Sequence, residues 1–133
     1  MIINQISVFL ENKPGKLSEF VNVLADNKID LEALSIAEAQ DYGIARIIVD
    51  KPAELKAILA EKGWPCTSTP VLAAHVPDEP GSLTKILSVL ADSNVSIDYS
   101  YAFFSRHDGP CVVLRVEDNE VAQKMLQNAN IEC

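Results

Sequence analysis

The chain is written twice. Residues 14–17 read Pro-Gly-Lys-Leu, and 66 positions later residues 80–83 read Pro-Gly-Ser-Leu. Val23-Leu24-Ala25-Asp26 recurs unchanged as Val89-Leu90-Ala91-Asp92. Seven of the twenty positions in 12–31 are identical in 78–97, and Phe20/Ile86, Val21/Leu87, Ile29/Val95 and Leu31/Ile97 stay apolar. The offset holds to Gly43 and Gly109, then slips by one, so that Ile58 and Leu59 face Met125 and Leu126. A fixed period restricts the chain to one supersecondary unit built twice. The sequence predicts units at 1–70 and 71–133, joined near Pro70, the second with a short closing strand.

Each copy parses by period. Residues 3–10 and 71–76, rich in Ile, Val, Leu and Phe, read as strands ending in polar, proline-containing turns. Leu17, Phe20, Val21 and Leu24, like Leu83, Ile86, Leu87 and Leu90, fall at i, i+3, i+4 and i+7, the stripe of a helix that buries one face. Strands are expected at 30–39 and 96–105. Each is followed, across Tyr42-Gly43 or His107-Asp108-Gly109, by a hairpin partner. Helices at about 52–62 and 119–128 come next, Gly63 capping the first. Residues 64–69 close the first copy, and only 130–133 remain to close the second. The order is β-α-β-β-α-β, twice. The right-handed crossover rule makes each unit α+β and ferredoxin-like, an antiparallel sheet with both helices on one face. A unit of some 66 residues has a marginal core, so the two are expected to form an intimate pair.

Composition narrows the function. Eleven Lys and Arg against nineteen Asp and Glu give a net charge of -8, which argues against nucleic acid or an anionic membrane surface. No apolar run approaches the ~20 residues of a membrane span, and the start shows no secretory signal. Cys66, Cys111 and Cys133 are odd in number, lack metal-ligand spacing and read as reduced thiols, which points to the cytoplasm and to no metal. Two histidines, neither beside a Ser or Cys nucleophile in sequence, give no catalytic kit.

The feature with chemical potential is the turn before each first helix. A helix N-terminus offers unpaired N–H groups and partial positive charge to a carboxylate or phosphate, and a glycine there admits a ligand closely. Pro-Gly turns before helices are common in proteins that bind nothing, and from the turn alone that is the stronger reading. Tyr99, Tyr101 and Phe103 alternate on one strand face as core or interface residues, His75 stands where the first copy has Phe9, and His107-Asp108 suits a hairpin turn.

The strand, the Asn-x-Pro-Gly-x-Leu turn, the apolar helix and the following Ile-Asp-Leu resemble the ACT domain, the small-molecule sensor of amino-acid metabolism. The resemblance covers the chain as two tandem copies. It implies a non-enzymatic regulator without cofactor, a homodimer, an amino-acid effector held between ACT units, and a partner enzyme of amino-acid metabolism. Carried over by position, it places the ligand at Asn12, Lys13, Pro14, Gly15, Lys16 and Leu17 with Ile29, Asp30 and Leu31. In the second copy the positions are Asp78, Glu79, Pro80, Gly81, Ser82 and Leu83 with Val95, Ser96 and Ile97. On that model the ligand carboxylate takes backbone N–H groups at Gly15 to Leu17, and Asp30 meets the ammonium. Asp78 and Glu79 would repel a carboxylate, so the first copy is expected to be the better site. A small enzyme on the same fold, or an interaction module that binds no metabolite, are the rivals. An acylphosphatase-type site would want an Arg in a loop that here has only Lys13 and Lys16.

Overall fold

The computed structural model describes residues 1–133. The elements run β1 (Ile2–Glu11), α1 (Lys16–Asp26), β2 (Leu31–Glu38), β3 (Tyr42–Val49), α2 (Pro52–Glu61), β4 (Cys66–His75), α3 (Ser82–Asp92), β5 (Tyr99–Ser105), β6 (Gly109–Arg115) and α4 (Asn119–Asn128). They divide into two compact units, Asn4–Thr69 and Met1–Ile3 with Pro70–Cys133, so the boundaries fall inside β1 and β4.

In the first unit the strand order is β2-β3-β1-β4. β1 pairs antiparallel with β3 from Ile6↔Ile47 to Glu11↔Tyr42, and β2 with β3 from Leu31↔Val49 to Glu38↔Gly43, with an irregularity between Leu31 and Ala33. Alternate residues Ile6, Val8 and Leu10 of β1 meet Ala45, Ile47 and Val49 of β3, and α1 and α2 close over them with Phe20, Leu24, Leu55 and Leu59. The strand period of 2 and the helix period of 3.6 thus deliver one apolar face each to a common core.

In the second unit β4 pairs with β6 from Leu72↔Leu114 to His75↔Cys111, and β5 with β6 from Tyr99↔Arg115 to Ser105↔Gly109. Leu72, Ala74, Val112, Leu114, Ile86, Leu90, Ala122 and Leu126 form its core. Each unit is therefore a two-layer, ferredoxin-like α+β assembly. The final residues 130–133 form no strand. They touch the sheet through the His75 N–H, which donates to the Glu132 carbonyl (2.8 Å), while Ala73 N–H donates to the Met1 carbonyl (2.7 Å).

Three local outcomes differ from the expected pattern. The segments read as separate strands on either side of Pro70 are one strand, β4. Ala73 N–H donates to Met1 O while Leu72 pairs with Leu114 of β6, so successive residues of β4 bond opposite sides, and Pro70, two before Leu72, turns its N–H-less nitrogen to the β6 side just outside that ladder. The second difference is at 96–98, which lie outside β5. The third is in the helical stripes: Phe20, Leu24, Ile86 and Leu90 are buried, but Leu17, Leu83 and Leu87 at the stripe edge stay exposed.

The helix ends obey one rule. After α2, Gly63 at φ 75° lets its N–H reach the Ala60 carbonyl and the Trp64 N–H reach Leu59, the 5→2 and 6→1 pair of a Schellman cap. α1, α3 and α4 close in the same way on Lys28 (φ 56°), Asn94 (φ 59°) and Asn130 (φ 60°). Asparagine tolerates the left-handed region; lysine does so at a steric cost. Lys28→Gly is expected to raise stability by about 0.5–1 kcal/mol, offset in part by glycine's unfolded-state entropy. Urea denaturation measures it, and a destabilised variant would mean that the Lys51 Nζ bond to the Lys28 carbonyl (3.3 Å) depends on this side chain.

Candidate functional site

Both Pro-Gly turns hold the geometry the sequence suggested. Gly15 (φ 85°, ψ -11°) and Gly81 (φ 91°, ψ -10°) are the left-handed N-cap residues of α1 and α3, and neither helix has a side-chain cap bond. The first amide of each helix is spent within the turn: Lys16 N–H donates to Lys13 O and Ser82 N–H to Glu79 O, both at 3.3 Å. Glu19 and Lys85 N–H return to the Gly15 and Gly81 carbonyls. The amides of the second and third helical residues, Leu17 and Ser18 or Leu83 and Thr84, are those that a capping acceptor ordinarily takes. A Cβ built on Gly15 or Gly81 meets no atom within 4 Å, so the constraint on these positions is backbone handedness.

The side chains around the first turn are engaged with one another. Lys13 Nζ lies 2.8 Å from Glu11 and Lys16 Nζ 3.5 Å from Glu19. The Lys13 ammonium draws the Glu11 carboxyl below its usual range, and Glu11 raises Lys13 in return. Both groups are solvated, so the pair adds little to stability. Asn12, Pro14 and Leu17 are exposed, as are Asp78, Glu79, Pro80 and Leu83, with Ser82 half-buried.

The strand-start residues lie elsewhere. Glu11 sits opposite Tyr42 at one end of β3, and Leu31 opposite Val49 at the other. The seven steps between them span about 24 Å at ~3.4 Å per residue. A free amino acid cannot touch Asn12 or Gly15 and Asp30 within one unit. The second unit separates them likewise, where Val76 N–H donates to Pro110 O and Asp98 N–H to Arg115 O, five steps or about 17 Å apart along β6. Ile29 is buried in the first core, and Leu31 packs against it; Val95 and Ile97 pack against the second. Asp30 N–H donates to Asp50 Oδ1 (2.9 Å), and Ser96 is exposed.

Clefts flank the turns. In the first unit a cavity of about 410 Å³ lies between the end of β1, the start of α1 and the turn after α2, walled by Phe9, Tyr42 and Trp64 with Lys16, Glu19 and Lys62. In the second unit the corresponding cavity, about 400 Å³, is lined by His75, Glu79, Ser82, Lys85, Asn130 and Glu132. A second cavity there, about 420 Å³ and more apolar, lies on Leu83, Ala102, Phe103 and Val112. The sequence pointed to the turns but not to the far walls at 62–65 and 130–132, which approach only through the fold. The Phe9-to-His75 exchange was the visible signal.

The other polar residues have structural tasks. Ser105 Oγ accepts from the His107 and Asp108 backbone N–H groups and lies 3.3 Å from the Asp108 carboxylate, which fixes the β5–β6 turn. All three cysteines are free thiols. Burial pushes the Cys111 and Cys133 thiols above their ordinary pKa, so both stay protonated near neutrality. No group of three or more His, Cys, Asp or Glu residues is placed to hold a metal ion, and no helix is long and apolar enough to cross a membrane.

The family model for an ACT domain pair matches residues 1–133. The chain belongs to the ACT domain-pair family. A crystal structure of a protein from Bacteroides thetaiotaomicron is 36% identical, covers 99% of this chain and 91% of its own, and superposes with a TM-score of 0.90. The regulatory subunit of aspartate kinase from Thermus thermophilus, in ligand-free form, shares the ACT-pair fold at 16% identity and a TM-score of 0.63, covering 95% and 91% of the two chains. The corresponding subunit from Thermus flavus gives 16% and 0.58, over 98% and 95%. No curated protein sequence matches the chain.

Proposed function

We propose that this ACT domain pair is a non-enzymatic regulatory protein of the cytoplasm that binds a free amino acid and, as a homodimer, passes the binding signal to an enzyme of amino-acid metabolism. The observation that carries the reading is the doubled turn: a left-handed glycine at a helix N-terminus, with a cleft of about 400 Å³ beside it in each unit. Clefts of this size suit a small metabolite, and amides at a helix start suit a carboxylate. Likeness to aspartate kinase regulatory subunits agrees with a regulatory role.

Asp30 stands about 24 Å from the turn of its own unit, so within one unit the turn amides and this carboxylate do not hold the same amino acid. A ligand that binds only the folded state raises stability by RT ln(1 + [L]/Kd), about 2.7 kcal/mol at a hundredfold excess over Kd. A thermal-shift panel of the twenty amino acids is therefore expected to yield a clear rise in Tm for a restricted subset. A flat response across the panel would remove the amino-acid reading. Sedimentation at micromolar concentration should show a dimer, and a monomer throughout that range would remove the homodimer.

A further inference from the structure

The second unit ends on an unguarded strand edge. β5 is the outermost strand, and β6 is its one neighbour in the sheet. Val76 N–H donates to Pro110 O in the register that joins Leu72 to Leu114, so the even residues of β6 bond β4 and its odd residues bond β5. Cys111 pairs with Phe103 and Val113 with Tyr101, which leaves the N–H and C=O groups of Ser100, Ala102 and Phe104 pointing away from the sheet. All three residues are exposed, Phe104 at 70%. Strand edges are ordinarily blunted by charge, proline or a bulge, and β5 (Tyr-Ser-Tyr-Ala-Phe-Phe-Ser) has none of these. The matching edge of the first unit is defended: β2 carries Glu32 and Glu38 and a break in register at Leu31/Ala33.

We propose that β5 pairs antiparallel with β5 of a second copy of this chain, about a two-fold axis at Ala102. The pairing rests on the homodimer reading above and adds its seam. Because the outward-facing residues are even-numbered, an axis at Ala102 sets 102 against 102 and 100 against 104 as hydrogen-bonded pairs, with two bonds in each. This register overlaps the whole of β5, and its flanks favour it: Asp98 of each copy falls opposite Arg106 of the other, both exposed. The two fullest overlaps of β2 with itself instead set Glu38 against Glu32 or against Asp30, like charge on like. Side-chain bulk agrees with the β5 seam. Phe104 lies opposite Ser100 and diagonal to Ala102 of the other copy, large beside small, and on the other face Tyr101 meets Phe103. Leu83 of α3, 42% exposed, shares an apolar cleft with Ala102 and extends the surface.

Sedimentation of the full chain and of its variants at micromolar concentration tests the seam. Ala102→Glu sets two carboxylates against each other at the axis and should raise the dimer Kd at least about tenfold. Asp98→Arg and Arg106→Asp should each weaken the dimer by about fivefold, and the chain carrying both should recover it, a rescue that damage to the fold would not give. Cα atoms across a hydrogen-bonded pair lie about 5.5 Å apart, within reach of a disulfide. Mild oxidation of Ala102→Cys should therefore yield a covalent dimer beyond any formed by the unmodified chain, and Leu34→Cys on β2 should not. A dimer unmoved by Ala102→Glu, or lacking that cross-link, overturns the seam and leaves the homodimer standing. Assemblies larger than a dimer also overturn it, since a two-fold pairing closes on itself. A chain monomeric throughout the micromolar range removes both.

Discussion

Phe20→Ala is expected to lower the free energy of unfolding by about 3–5 kcal/mol, the usual cost of emptying a buried aromatic site. Phe20 is 0% exposed, and its ring sits 5.7 Å from that of Trp64, centroid to centroid, at an interplanar angle of 54°. That tilted contact adds about 0.5–1.5 kcal/mol beyond simple burial. The residue also belongs to the core cluster that joins α1 to Ile6 and Val8 of β1 and Ile47 of β3. A chain of this length has about 7–20 kcal/mol of stability in total, so the truncation consumes a large share. Thermal unfolding should show Tm falling by about 10–20 °C. Leu17→Ala, on the same helix but 37% exposed, should cost under about 1 kcal/mol. Equal effects from the two would mean that the helix face is misassigned.

Gly81→Asp is expected to cost about a hundredfold in amino-acid affinity, some 2.7 kcal/mol, while leaving the protein folded. The substitution has room, since no atom lies within 4 Å of a Cβ at this position. The left-handed backbone (φ 91°) costs an aspartate about 1 kcal/mol, a tolerable fraction of the whole. What changes is the charge: a fixed carboxylate then sits at the first amides of α3, which the proposed function gives to the ligand's own carboxylate. Gly15→Asp places the same charge at the matching turn of the other unit, the left-handed N-cap of α1, and should cost as much if that turn also holds a ligand. Calorimetry on the two variants tells which turn binds, and unchanged affinity in both would remove the turns from the site.

Much of the fold was legible because the same message is written twice. One helix stripe at i, i+3, i+4 and i+7 is a weak signal, but Phe20 and Leu24 repeated as Ile86 and Leu90 is a strong one, and these four are the helix residues buried in α1 and α3. The Gly63 cap was equally plain, since its φ of 75° is glycine's own territory. Pro70 misled because proline punctuates most strands. Whether it ends one depends on which side its missing N–H faces, and that is decided by the pairing partner. The candidate site was half legible. The turns are local and could be read; Asp30 was joined to Gly15 through the family resemblance, yet helix α1 runs between the two and leaves Asp30 beside the far end of β3. The ranking of the turns used chain neighbours, Asp78 and Glu79, while the cleft beside the second turn is lined as well by His75 and Lys85 from β4 and α3, which only the fold brings there.

The free space around Gly15 and Gly81 has a further consequence. What bars other residues from these turns is chirality, because every L-residue meets the penalty of a positive φ while the volume a side chain would occupy stands open. A residue of the opposite hand meets no such penalty. In a semisynthetic chain, a D-amino acid at either position could carry a reporter group to the rim of a cleft with the backbone relaxed, a foothold that the genetic code's own twenty residues reach only by leaving the side chain off.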